Sequence, residues 1–137
     1  MANVSAVKSL YMAPLSASTD NVSVSATTAG TTDLTLASTA AGFAEWGNVA
    51  ATLKFTSGSG TTNAIVFTIV GTDKDGKAVT HEHTGPAGST NNDTSITFTS
   101  VTSISKPSTS TTLSVGTNAS GAGPIFAGRT RVRGMHV

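Results

Sequence analysis

The chain has 137 residues, a formal net charge of +1 and no cysteine. These values exclude disulfides and thiolate metal sites, and they disfavour a nucleic-acid-binding protein, which normally carries a basic patch with interleaved aromatic residues. Ser and Thr supply 43 residues, whereas Val, Ile, Leu and Phe supply 28. Because threonine is β-branched and suits a pleated, half-exposed surface, this composition predicts an all-β protein with a thin core.

The sequence gives no indication of a membrane partner. No segment approaches the roughly 20 apolar residues that a membrane span needs, and the N-terminus lacks the apolar run of a signal peptide. We therefore expect a soluble protein that is made in the cytoplasm.

Residues 1–20 are predicted to form an N-terminal arm. Its apolar residues recur at roughly helical spacing: Val4, Val7, Leu10 and Tyr11. Pro14 ends this pattern, so both a short helix and an extended arm are compatible with it.

Alternating apolar and polar residues predict the first strands. One is expected around Val22 and Val24, and a second around Leu34 and Leu36. Residues 39–50 then read as a loop or a weak helical turn.

The strongest strand signals follow in the middle of the chain. The segment ATLKFTS, residues 51–57, places Leu53 and Phe55 on one face. The segment NAIVFTIVG, residues 63–71, is apolar on both faces. A strand of that kind is usually central and covered on both sides, and we predict this arrangement here.

The last strands contain a change of phase. Ile96 and Phe98 alternate correctly, but Val101 and Ile104 fall out of phase with them, which predicts a β-bulge or a bend. TTLSVGT, residues 111–117, supplies the last short strand.

About seven short strands with regular turn signals predict a single-domain antiparallel β-sandwich or barrel of the jelly-roll or Ig-like kind. We place this domain at residues 21–118, between extended arms at residues 1–20 and 119–137.

The stretch GTDKDGKAVTHEHTGP, residues 71–86, holds three of the seven acids and two of the three histidines. Its DKDG segment resembles the start of a calcium loop, but no glutamate stands where such a loop closes. We therefore predict a tight hairpin turn in which Asp73 caps its own backbone and Gly76 adopts a positive φ.

His81 and His83 share one face of a strand, with a spacing that zinc ligands use. A third ligand would have to come from His136 or from one of the few acids, so a metal-dependent enzyme, or a metal site on an oligomer axis, is the less favoured interpretation. We predict a solvent-facing polar stripe. With no nucleophile elbow and no phosphate-binding loop, we expect no catalytic residue and no cofactor.

The C-terminal arm carries alternating arginines at Arg129, Arg131 and Arg133, and no acid follows Lys106. In an extended conformation the three guanidinium groups share one face. We interpret them as contacts to carboxylates on a partner, since arginine binds carboxylates through two hydrogen bonds.

The order of motifs in residues 64–117 resembles a family of small virion proteins of tailed bacteriophages. Those proteins have a strand ending in G-T-D-x-x-G, a second ending in T-G-P, an F-x-x-V-x-x-I strand and a closing V-x-V-G. The counterparts here are Gly71 to Gly76, Thr84 to Pro86, Phe98 with Val101 and Ile104, and Val115 with Gly116. The resemblance also implies a structural role for Glu82, whereas the two flanking histidines depart from the family pattern.

The resemblance implies a non-enzymatic capsid decoration (cement) protein on the outer surface of the virion shell. Its partner would be the major capsid protein, bound by the arms and by an edge strand that extends a capsid sheet. A thin core with two arms favours a homo-oligomer, and we expect a trimer. The alternatives are a minor virion protein of the tail, the head-tail adaptor or the fibre base, and a glycan- or surface-binding module that uses Tyr11, Phe43 and Trp46.

Overall fold

The computed structural model describes residues 17–37, 49–58 and 63–122. Within these ranges every regular element is a β-strand. The strands are β1 Ser23–Thr28, β2 Ala50–Ser57, β3 Val66–Thr72, β4 Ala78–Thr84, β5 Asn91–Phe98, β6 Ser100–Ser105 and β7 Ser110–Ala122. None of the described residues lies in a helix long and apolar enough to cross a membrane.

The strands form two antiparallel sheets that pack face to face. The four-stranded sheet has the order β1-β7-β2-β5, and the three-stranded sheet has the order β4-β3-β6. The predicted all-β sandwich is therefore confirmed. The limits predicted for the domain and its arms stay a prediction, although β7 extends to Ala122, which pairs with Ala50 of β2.

The core lies between the sheets and is built from alternate residues of each strand. Leu53 and Phe55 of β2 are fully buried against Phe67 and Ile69 of β3, as the alternation predicted. The rings of Phe55 and Phe67 lie 5.2 Å apart between centroids and are tilted by 47°. Tilted aromatic pairs of this kind add to the stability gained from burial alone.

The prediction that β3 is covered on both faces is wrong for the described part of the chain. The strand is central in its sheet, but Val66 is 43% exposed and Val70 is only half-buried on the outer face. A sandwich of two sheets has a single interior, so one face of every strand looks outward. The valines there satisfy β-propensity rather than core packing.

The phase change after Phe98 marks the point where the chain passes from one sheet to the other. At this bend the N–H of Thr99 donates to the carbonyl of Thr72 (2.7 Å), and its hydroxyl donates to the carbonyl of Asp73 (3.0 Å). A Cβ at position 71 would collide with the carbonyl oxygen of Ser100, so Gly71 permits this close approach. The predicted bend is confirmed.

The strand predicted at residues 34–36 does not form. Leu34 is buried in the core, but its N–H donates to the carbonyl of Ile104 in β6 (3.0 Å). Three residues later the N–H of Ala37 donates to the carbonyl of Val22, beside β1 (2.8 Å). Because these bonds reach two different sheets, the segment closes one side of the sandwich and cannot join either ladder.

Thr112 adopts a φ of +42°, which a β-branched residue rarely does. We predict that Thr112→Asn raises the free energy of unfolding by about 1 kcal/mol, because asparagine tolerates the left-handed region better. Chemical denaturation measures the change. The matched control is Thr102→Asn, since Thr102 is an exposed residue of β6. A loss of stability at position 112 larger than at position 102 would contradict the assignment of strain.

Candidate functional site

The turn between β3 and β4 is built around the side chain of Asp73. Its Oδ1 accepts hydrogen bonds from the N–H groups of Asp75 (2.8 Å) and Lys77 (2.9 Å). The bond from Lys77 is the main reason that the pKa of Asp73 lies below its ordinary value. Gly76 takes a φ of +76°. The predicted hairpin turn is confirmed, and the carboxylate of Asp73 serves the backbone.

The two histidines of β4 face the interior of the sandwich, so the predicted solvent-facing stripe is wrong. Cross-strand partners in an antiparallel ladder point to the same side. His83 is paired with buried Phe67, and His81 with buried Ile69, so both rings turn inward. Val79, on the same face, was the sequence signal that could have revealed this orientation.

His83 links the two sheets through a hydrogen bond. Its ring lies 4.6 Å from the ring of Phe55, and its Nε2 is 2.9 Å from Oδ1 of Asn92 on β5. The amide nitrogen of Asn92 donates to the carbonyl of Thr84 (2.9 Å), so Oδ1 is the acceptor. Nε2 of His83 is therefore the donor in this contact. This nitrogen is engaged in the fold and is not presented to a ligand.

His81 is partly buried next to Phe98, with 6.3 Å between the ring centroids. Burial is the main cause that lowers its pKa, and the neighbouring His83 adds to the effect, while Glu82 opposes it. No group of three His, Cys, Asp or Glu side chains in residues 17–37, 49–58 and 63–122 lies close enough to hold a metal ion.

Two further polar groups are buried at positions that the sequence did not indicate. The amine of Lys106 donates to the carbonyls of Gly30 and Ser108, and burial lowers its pKa. The amide of Asn63 donates to Ser57 Oγ (2.8 Å) and accepts from the N–H of Thr111 (2.9 Å). Lys106 connects two loops, and Asn63 fastens a loop to β2 and β7, so both side chains have a structural use.

Backbone geometry determines which groups of β4 point away from β3. At one end of the hairpin the N–H of Asp73 donates to the carbonyl of Lys77 (2.9 Å). At the other end the N–H of Gly85 donates to the carbonyl of Ile65 (2.9 Å). Hydrogen-bonded pairs alternate along an antiparallel ladder, so the odd-numbered residues of β4 bond to β3. The even-numbered residues present their N–H and C=O groups outward.

The outer edge of β4 is consequently open. In the sheet order of the described strands, β4 has β3 as its one neighbour. The backbone groups of Ala78, Thr80 and Glu82 point outward, while the carbonyl of Thr84 is already bonded to Asn92. These outward groups form a short template for an additional strand.

Edge strands are commonly protected by irregularities, and β4 lacks them. The ladder of β1 has two register shifts, that of β5 has one, and that of β6 has one. The edge of β6 also receives the hydrogen bond from Leu34. In contrast, β4 pairs with β3 over seven consecutive residues without a shift. Within the described ranges it is the regular, unprotected edge.

The outer surface of the three-stranded sheet, which we call the open face, is almost uncharged. Glu82 is the one Asp, Glu, Lys or Arg residue in the three strands of this sheet. The open face consists of Val66, Thr68, Val70, Thr80, Glu82, Thr84, Ser103 and Ser105.

The residues predicted to contact a partner lie outside the described ranges. These are Val4, Val7, Leu10, Tyr11, Arg129, Arg131 and Arg133. Phe43, Trp46 and His136 also lie outside them. Their roles stay predictions.

Comparison of the chain with protein-family models, with curated proteins and with solved structures gave no match.

We predict that Asn92→Ala lowers the free energy of unfolding by about 1–3 kcal/mol, because it leaves the Nε2 of His83 and the carbonyl of Thr84 without their partner. Asn91→Ala on the same strand is the control, since Asn91 is exposed. Urea denaturation at pH 8 measures both changes. Equal effects at the two positions would argue against the link between the sheets.

The lowered pKa of His81 predicts a loss of stability in weak acid. The unfolded chain takes up a proton near the ordinary value of 6.5, and the folded chain does so at lower pH. Between these values the unfolded state binds more protons, so the free energy of unfolding decreases as the pH falls below about 6.5. Denaturation from pH 8 to pH 5.5 should show a smaller decrease for His81→Gln than for the wild type. An identical decrease would contradict this role for His81.

Proposed function

We propose that the protein is a capsid decoration protein of a tailed bacteriophage and that its open face lies against the assembled shell. The observation that carries this proposal is the composition of the open face, with exposed Val66, several hydroxyl side chains and one charge. The cores of protein interfaces are depleted in charged residues in the same way.

The side chains of the open face suit binding for a second reason. Valine and threonine are stiff at χ1, so little side-chain freedom is lost when a partner covers them. Val66 and Val70 give the surface its apolar centre, while Thr68 and Thr80 supply hydroxyl groups for hydrogen bonds. A capsid shell repeats the same protein surface, so it offers the same contact site at regular spacing.

Shell stabilisation follows from selective binding. A protein that binds the assembled shell and not the dispersed subunits stabilises the assembled state by mass action. Individual contacts need not be strong, because an oligomer that contacts several subunits binds with avidity. In this proposal Val4, Val7, Leu10 and Tyr11 add apolar contacts from the N-terminal arm. The protein acts on the outer surface of the virion and performs no catalysis.

The buried polar groups also support a binding role. His83, Asn92, Asn63 and Lys106 are all hydrogen-bonded within the fold. Their hydrogen-bonding groups thus serve the fold, and the proposed role rests on the surface of the domain.

A pair of exposed valines on opposite faces tests the proposal. Val66 lies on the open face, whereas Val24, 56% exposed, lies on β1 of the other sheet. We predict that Val66→Glu weakens binding to shells by about tenfold or more, since a carboxylate would be buried without a partner. Val24→Glu should bind like the wild type.

The assay is co-sedimentation with expanded heads of the encoding phage from which this protein has been stripped. Circular dichroism of both variants confirms that they remain folded. Equal binding by the two variants would refute the assignment of the open face.

A further inference from the structure

We infer that the open edge of β4 receives residues 128–134 of a neighbouring copy as an added strand, with arginines of that segment beside Glu82. The inference rests on the proposed function, because avid binding to a shell requires linked copies. The β4 edge of one copy and residues 128–134 of the next would join the copies.

The outer edge of β4 is suited to strand addition. Among the described strands, β4 is the regular edge without a register shift, a proline or an inward lysine, which are the usual devices against strand addition. Its outward groups at Ala78, Thr80 and Glu82 supply alternating donors and acceptors for a partner backbone. The side chains of these three residues are exposed.

The β4 edge and the arginine segment carry charges of opposite sign. Glu82 carries the sole carboxylate of the three strands in this sheet. In the segment GRTRVRG the arginines alternate with Thr130 and Val132, so an added strand holds all three guanidinium groups on one face. The proposed register places that face on the side of Glu82. The intervening β-branched residues suit the inner side, next to His81. Arginine then forms a charge-assisted contact to the carboxylate.

The described part of the chain ends in β7, whose neighbour β2 pairs with the strand that holds Phe98. β7 ends at Ala122 opposite Ala50, and the adjacent Ala51 pairs with Phe98, the neighbour of His81. Fifteen residues follow Ala122. The five residues before Gly128 can span about 17 Å when extended, so a segment that begins at Gly128 need not lie directly beside β7.

The edge and the segment are different parts of one chain, so their pairing between copies is head-to-tail. Such a contact closes into a ring when the rotation between copies permits it. A three-membered ring would agree with the trimer expected from the sequence.

Cysteine crosslinking tests this arrangement, since the wild-type chain has no thiol. Thr80→Cys on the open edge is mixed with Arg131→Cys, each as a single variant, and treated with a short bis-maleimide. Thr102→Cys, exposed on β6, replaces Thr80→Cys as the control. We expect the first mixture to give crosslinked dimers about tenfold faster than the control, because docking raises the effective concentration of the thiols.

Equal rates in the two mixtures would overturn the inference. A second outcome would also overturn it. The double variant Thr80→Cys/Arg131→Cys would crosslink within single chains, while the mixture of single variants would not crosslink. Residues 128–134 would then pair with the β4 edge of the same chain.

A backbone variant provides an independent test. Thr80→Pro removes an N–H that points away from β3, so the β3–β4 ladder is retained, and proline is tolerated at such edge positions. The variant should sediment as a monomer and remain folded, whereas Thr80→Ala, which keeps the N–H, should sediment as an oligomer. An oligomeric Thr80→Pro variant would contradict strand addition.

The outcomes also separate this inference from the proposed function. Loss of shell binding by Val66→Glu with normal crosslinking supports both. If crosslinking is normal and Val66→Glu binds shells like the wild type, the assignment of the open face to shell binding is wrong. Strand addition between copies is then still supported. If crosslinking fails but Val66→Glu still weakens shell binding, strand addition between copies is wrong. The assignment of the open face to shell binding is then still supported.

Discussion

The bend at Thr99 is the constraint on which the remaining structure depends. Hydrogen bonds from this residue to the carbonyls of Thr72 and Asp73 hold the bend against the end of β3. The chain therefore leaves the four-stranded sheet after β5 and enters the other sheet as β6. Since β6 then occupies one side of β3 and the hairpin places β4 on the other, β4 becomes an edge. The open edge is thus a consequence of the sheet crossing.

Several polar side chains of the described region are engaged by the fold itself. Asp73, His83 and Lys106 are residue types that perform catalysis in other proteins. Here Asp73 accepts hydrogen bonds within a turn, His83 connects the two sheets, and Lys106 anchors loops. A thin core gives each of these hydrogen bonds a large share of a small total stability, because folded domains are only marginally stable.

The sequence predicted the sandwich where local pattern and tertiary packing agree. Leu53, Phe55, Phe67 and Ile69 alternate strictly and form the core, and the phase change after Phe98 correctly marked a bend. DKDG predicted the turn because the Asp and Gly act locally. In each case the information lies within a few neighbouring residues.

The alternation of apolar and polar residues was an insufficient guide where contacts between distant parts of the chain determine the structure. Leu34 alternates like a strand residue, but its N–H bonds to Ile104, seventy positions along the chain. The inward orientation of His83 depends on its register with Phe67 and on Asn92, which strand periodicity alone does not supply. The open edge of β4 is a property of strand order, which requires the whole topology. The arm residues predicted to contact a partner, such as Leu10 and Arg131, lie outside the described residues.

The most direct measurement for the central claim is the number of copies of this chain in purified phage particles, relative to the major capsid protein. A decoration protein that covers the shell predicts a ratio near one or a simple fraction of it. A few copies per particle would place the protein in the tail or neck and contradict the account. Complete absence from particles would contradict a virion role altogether.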